Sequence, residues 1–124
     1  MFALETTDNN IDYQLFIYSL YRMFMETPSE RLKRKIMIEN LWLFILSLLK
    51  ERPLYGSEIR KAVKTRFGFW TGNVTSYKVL YSLQKRGYVL RQNKGKRKYY
   101  SITEKGRAEL RKAREMLKLL VKSI

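Results

Sequence analysis

The sequence predicts a mainly α fold with one small β-hairpin, and two changes of pattern carry that prediction. Tyr77, Leu80, Leu83 and Gly87 recur at intervals of three and four, the spacing of one buried helix face. Gly87 stops this helix, because glycine takes the left-handed conformation that a C-terminal cap needs. The period then changes. Tyr88-Val89-Leu90-Arg91 and Lys98-Tyr99-Tyr100-Ser101-Ile102 are rich in the aromatic and β-branched residues that suit strands. Gln92 to Arg97, between them, is polar, basic and centred on Gly95, as a flexible hairpin tip is. A helix followed at once by a basic-tipped hairpin is the layout of a winged helix-turn-helix. Its helix enters the DNA major groove and its wing lies along the backbone or minor groove.

Charge and composition narrow the function. The 124 residues suit one domain with an appendage. Lys and Arg number 26 against 11 Asp and Glu, a net charge of +15. Residues 1–27 hold Glu5, Asp8, Asp12 and Glu26 against Arg22 alone, so the positive excess lies wholly downstream. A nucleic-acid face is expected there, with a merely Lys-rich solvated surface as the bland alternative. No cysteine and no histidine are present, which excludes disulfides, thiolate or zinc sites and a histidine base. The acidic residues are scattered, and neither a nucleophile–base pair nor a phosphate-cradling glycine loop is visible. No enzyme and no cofactor are expected. Glu58 and Glu104 fit first-turn helix positions favoured by the dipole.

The longest apolar run, Leu41 to Leu46 and on through Ser47 to Leu49, falls short of the ~20 residues a membrane span requires, so it predicts a core helix. The acidic N-terminus does not resemble a signal peptide. A cytoplasmic, nucleoid-associated protein with no membrane partner is expected.

In chain order, residues 1–9 lack periodicity and are expected to fray. Asn10 to Met25 reads as a helix, capped by Asn9 or Asn10, that is apolar or aromatic almost all round. One small domain can hardly cover it, so Leu15, Tyr18 and Phe24 are assigned to a subunit interface. A pocket for a small hydrophobic effector is the alternative. Pro28 ends that helix, Ser29 begins the next segment, and Arg31 to Lys35 form a solvated basic run. Ile36 to Leu49 is the main core helix, bounded by Pro53. A helix follows through Phe67, capped by Ser57, with Ile59 and Val63 inward and Arg60, Lys61 and Lys64 outward. Trp70, in the turn after it, is expected in the core, with ligand stacking as the alternative.

On the next helix Ser76, Leu80, Leu83 and Gly87 fall inward and Tyr77 at the border, while Thr71, Val74, Thr75, Lys78, Ser82 and Lys85 face out. Polar groups at the start of the outward face suit base edges, and lysines suit phosphates. Asn73 is open between an N-cap and an adenine-reading amide. Thr103 caps the last helix, in which Leu110, Ala113, Leu117, Leu120 and Ile124 alternate by three and four. That seam, widened by Met116, Leu119 and Val121, predicts pairing with a second subunit, with folding back onto its own core as the alternative. The expected divisions are therefore an N-terminal extension (1–27), a winged helix-turn-helix (28–103) and a C-terminal dimerisation helix (104–124).

Three segments resemble the PadR family of winged-helix transcriptional regulators. They are ILSLLKERPLYGSEIRKAV (Ile45 to Val63), YKVLYSLQKRGYV (Tyr77 to Val89) and RKYYSITEKGRAEL (Arg97 to Leu110). They match a leucine-rich helix leading to a Gly-x-Glu-Ile helix, a Tyr-x-x-Leu-x-x-Leu-x-x-x-Gly recognition helix, and a Tyr-Tyr-x-x-Thr-x-x-Gly exit from the wing. The resemblance runs from Ile45 to about Leu120. It implies a homodimeric repressor of double-stranded DNA with a pseudo-palindromic operator, released in some members by a small molecule. It also implies that Tyr77 lies at the DNA surface, that Lys94, Lys96, Arg97 and Lys98 belong to the wing, and that the C-terminal helix makes the dimer. Two departures are visible. Ser57 stands where an aromatic is common, and Val74-Thr75-Ser76 replaces a glycine-containing start to the recognition helix. The runner-up is a winged helix that binds chromatin or RNA without sequence preference.

Overall fold

A computed structural model describes residues 7–124. Its described residues form α1 (Thr7–Met25), α2 (Pro28–Glu39), α3 (Leu41–Leu49), β1 (Leu54–Tyr55), α4 (Gly56–Phe67), α5 (Asn73–Lys85), β2 (Val89–Lys94), β3 (Arg97–Ile102) and α6 (Glu104–Ser123). The first six of the nine N-terminal positions expected to fray lie outside the described residues. The chain divides into two compact units, residues 1–38 and 39–124.

In the first unit, α1 begins at Thr7, three residues before the expected start. Its apolar side chains remain largely in solvent, with Phe24 83% exposed. The turn into α2 is stitched by Thr27 and not by Ser29. The Glu30 amide donates to Thr27 Oγ1 at 3.2 Å, and the Thr27 amide donates to Glu30 Oε1 at 3.0 Å. This reciprocal capping satisfies two amides that the helix start would leave unpaired. Pro28 holds the first helical position, where its missing N–H is not needed. Arg34 then closes on Glu26 with two hydrogen bonds of 2.7 and 2.9 Å, pinning α2 to the end of α1.

The second unit is built around α3. The expected single helix from Ile36 to Leu49 is instead broken at Asn40 (φ −127°, ψ 37°), whose carbonyl accepts from the Leu43 amide at 3.0 Å. Asparagine leaves helical dihedrals readily because its side chain competes for backbone groups. Only the portion after the break is core. Leu41, Ile45, Leu46, Leu48 and Leu49 are all buried, packed with Ile59, Val63, Leu80, Leu83 and Val89.

β1 was not expected. Leu54 and Tyr55 pair antiparallel with Tyr100 and Tyr99, which gives a three-stranded sheet in the order β1-β3-β2. The ladder of β2 and β3 also reaches further than expected. Lys94 pairs with Arg97, so the loop between them is only Gly95-Lys96, not six flexible residues. Gly95 at φ 64° supplies the positive φ that a two-residue hairpin loop demands at its first position.

α4 is capped at Tyr55 instead of Ser57, with Glu58 Oε1 accepting from the Tyr55 amide at 3.0 Å. α5 ends as its glycine predicts, but Gly87 faces solvent and not the core. With Gly87 at φ 82°, the Tyr88 amide reaches back to the Leu83 carbonyl at 2.9 Å and the Gly87 amide to that of Gln84 at 3.1 Å. These two bonds satisfy carbonyls that a helix end otherwise strands. Thr103 caps α6 as expected. Its Oγ1 accepts from the Gly106 amide at 3.0 Å and donates to the Gly87 carbonyl at 2.6 Å.

Candidate nucleic-acid interface

The outward row of α5 is available to a ligand along its length. Thr75, Lys78, Ser82 and Lys85 are exposed, while Ser76, Leu80 and Leu83 point into the core. Thr71 is half-buried. The cap position belongs to Gly72, whose lack of a side chain leaves Asn73 as the first helical residue, exposed and without a capping bond. The capping role for Asn73 is therefore set aside. Val74, in the same first turn, is 80% exposed. Trp70 is 66% exposed, against expectation, with Lys64 Nζ 6.0 Å from its ring centroid. The bend of Phe69 toward Phe44, ring to ring at 5.2 Å, leaves Trp70 as the next residue on the solvent side.

Tyr77 sits at the border of the two faces, 48% exposed. Its hydroxyl lies over Gly56 at the start of α4, and the Arg60 guanidinium stands 5.7 Å from its ring. Arg60 is thus drawn against an aromatic face and is not a freely solvated member of the outward side of α4.

Beside α5, the wing presents Lys94, Lys96, Arg97 and Lys98, all exposed. Between the wing, the β1–α4 junction and Tyr77 runs a groove of about 580 Å³. Lys61, Lys96, Arg97 and Lys98 line it, together with the tyrosines Tyr55, Tyr77 and Tyr100, and no carboxylate does. Burial of the Tyr100 phenol raises its pKa above the ordinary 10, opposed by nearby Arg91, so it stays neutral and able to donate. Such a groove attracts phosphate oxygens. Sequence reasoning missed Tyr55 and Lys61 in this surface. A two-residue strand is too short to show the alternation that would have revealed the first.

The residues assigned to dimerisation separate into two groups. Leu15, Tyr18 and Phe24 are exposed on α1, and Leu117 and Leu120 are exposed on α6, as is Ile124 at its C-terminal cap. Ala113 is half-buried. Leu110 is 4% exposed and belongs to the core of its own unit, so the free apolar row on α6 starts after it. Heptad spacing records which positions are apolar but not what covers them, and here α3 takes the first.

A helix with a polar and basic outer row, beside a two-stranded wing carrying Arg91, Lys94, Lys96, Arg97 and Lys98, is the layout of a winged helix-turn-helix DNA-binding protein. Residues 45–112 match the transcriptional regulator PadR-like family. The match spans more than half of the chain, and the protein belongs to that family: it is a DNA-binding transcriptional regulator and not an enzyme. No curated protein matches the sequence. Among solved structures, it is similar to a transcriptional regulator from Clostridium thermocellum (28% identity, TM-score 0.67, covering 72% of this chain and 90% of that one). It is also similar to a PadR family transcription regulator from Clostridium difficile R20291 (25% identity, TM-score 0.59, 66% and 91% coverage). F93 from STIV, a winged-helix DNA-binding protein, shares the fold at 22% identity and TM-score 0.60, over 64% of this chain and 89% of its own. No helix among the described residues is long and apolar enough to cross a membrane.

Proposed function

We propose that the protein works as a homodimeric repressor that binds a pseudo-palindromic operator. The observation that carries this reading is the pairing of one cationic face with apolar rows left in water. α1 and the last turns of α6 leave rows of large apolar side chains exposed, the kind of surface that marks a protein–protein interface. Two copies joined through them would present two α5 helices to successive major grooves about 34 Å apart. Thr71, Asn73, Thr75, Tyr77, Lys78 and Ser82 would face base edges and their flanking backbone, while Lys85 and the wing would grip phosphates. A small hydrophobic effector wedged against α1 would, on this reading, shift how the two copies are held and release the DNA.

Two measurements test it together. Light scattering at physiological salt should give twice the chain mass, and selection from random duplexes should return a site with twofold symmetry. A single-chain mass overturns the dimer. Tight binding without any enriched site would instead favour a chromatin or RNA binder without sequence preference.

A further inference from the structure

The side chains around the wing are ordered by aromatic contacts, and one of these rings carries a wing arginine on its face. β1 has two residues. Alternation sends Leu54 into the core and Tyr55 to the opposite face of the sheet. Register then places Tyr55 directly across from Tyr99, and the rings meet edge to face at 5.5 Å with planes 75° apart. Arg97, two residues before Tyr99, shares that face. Its guanidinium lies over the Tyr55 ring, 4.4 Å from the centroid, the shortest cation–ring distance among the described residues. Lys94 Nζ, across the ladder, stands 5.3 Å from the Tyr99 ring.

From this geometry we infer that Tyr55 is a positioning residue for DNA: it holds the Arg97 guanidinium stacked at the mouth of the cationic groove, ready for a backbone phosphate. The inference deepens the proposed reading of the wing and rests on it. Stacking occupies only the flat face of a guanidinium. Its in-plane N–H donors stay free for the two oxygens of a phosphodiester. An unstacked arginine on a hairpin tip loses rotamer freedom on binding, whereas one already seated on a ring has surrendered most of it. β1 covers only Tyr99 and Tyr100 of β3, so the edge beside Arg97 and Lys98 stays open toward the groove that Lys61 lines. A ring at position 55 therefore does what charge alone cannot. It selects, among the many conformers of a wing arginine, the one that faces the phosphate.

The experiment is a double-mutant cycle on operator binding, with each variant measured across a salt series. R97A should weaken binding about ten-fold and flatten the salt slope by about 0.9, the share of one neutralised phosphate. Y55L should weaken binding about two- to five-fold, the range of an exposed cation–ring contact, with the slope unchanged because every cation remains. Y55F, which keeps the ring under Arg97, should lose clearly less than Y55L. Y55L/R97A should be no weaker than R97A alone. Full additivity of the two losses, or a loss in Y55F equal to that in Y55L, would overturn the positioning role while leaving the wing in place. An R97A variant with parental affinity and slope would overturn the wing assignment itself, and this inference with it. Should Y55L fail to fold, the parent protein still decides: its Arg97 side-chain protons should resonate upfield of the other arginines from the Tyr55 ring current, and unshifted signals would refute the stack.

Discussion

The Tyr77 hydroxyl occupies the space that a side chain on Gly56 would need. A Cβ there would stand 2.9 Å from Tyr77 Oη and 3.0 Å from Cε1. α5 and the first turn of α4 are thus fitted together at a glycine that does not need a positive φ. Gly56→Ala should push the half-exposed ring outward and should not unfold the protein. Alanine also restricts the unfolded chain more than glycine does, which offsets part of the displacement. Melting temperature should move little while operator affinity falls several-fold, measured by fluorescence anisotropy. An unchanged affinity would remove Tyr77 from the DNA surface.

Positions on α5 and on the wing should fail differently. Thr75→Ala and Lys78→Ala should alter which sites are preferred, since base edges carry sequence information. Lys96→Ala should weaken all duplexes alike and reduce the salt slope by about 0.9, since a phosphate contact is sequence-blind. Competition between operator and scrambled duplex, repeated across a salt series, separates the two effects. A uniform loss from Thr75→Ala and Lys78→Ala would confine both to the backbone.

Gly106 is the position where substitution should be most damaging to stability outside the hydrophobic core. A Cβ there would collide with the Tyr88 carbonyl and come within 2.9 Å of Ile102 Cγ1. Neither neighbour can yield: the Tyr88 carbonyl accepts the Thr103 amide, and Ile102 is packed against the core. Overpacking of this kind costs about 1–3 kcal/mol, and contact with backbone argues for the upper end. Gly106→Ala should lower the urea midpoint accordingly, with an unchanged midpoint as the contrary result.

Acid should loosen the first unit before the second. The hydrogen bond from Arg34 holds Glu26 below the ordinary glutamate value of 4.5, with the charges of Arg34, Arg22 and Arg31 adding to it. Backbone and side-chain hydrogen bonds from Thr27 lower Glu30 likewise. A carboxylate whose pKa is lowered by folding contributes stability that is present above its unfolded value and lost as pH falls through its folded one. Chemical-shift changes in α2 should therefore begin below about pH 4.5. Glu26→Gln should remove the part due to Arg34 and leave that of Glu30. An identical profile in the variant would show that the ion pair does not hold α1 to α2.

Local pattern carried much of this molecule. The helix carrying the 3-4 spacing from Tyr77 to Leu83, the glycine that ends it, the presence of two strands and the Thr103 cap need only neighbouring residues to be recognised, although the strands run further than expected and Gly87 faces solvent. What escaped depends on partners distant in sequence. Leu54-Tyr55 becomes a strand only because Tyr99-Tyr100 offers an edge some 45 residues later. Leu110 looks like the first step of an intersubunit seam until α3 is seen to cover it. Asn40 interrupts a run whose apolar residues continue on both sides, so hydrophobicity alone hides the break. Trp70 is exposed while Phe69 turns toward Phe44, which Phe67 also meets, a competition between adjacent aromatics that composition cannot decide. The exposed polar row on α5 was legible, whereas the ring beneath Arg97 was not, since stacking leaves no periodic trace.

The Thr103 hydroxyl bridges the carbonyl of Gly87 and the amide of Gly106, while Lys105 Nζ reaches the Arg86 carbonyl at 2.6 Å. The rear of α5 and the root of α6 are therefore riveted into one crank. On the proposed reading, a partner that takes hold of the exposed end of α6 would also set the angle at which α5 is offered to the double helix.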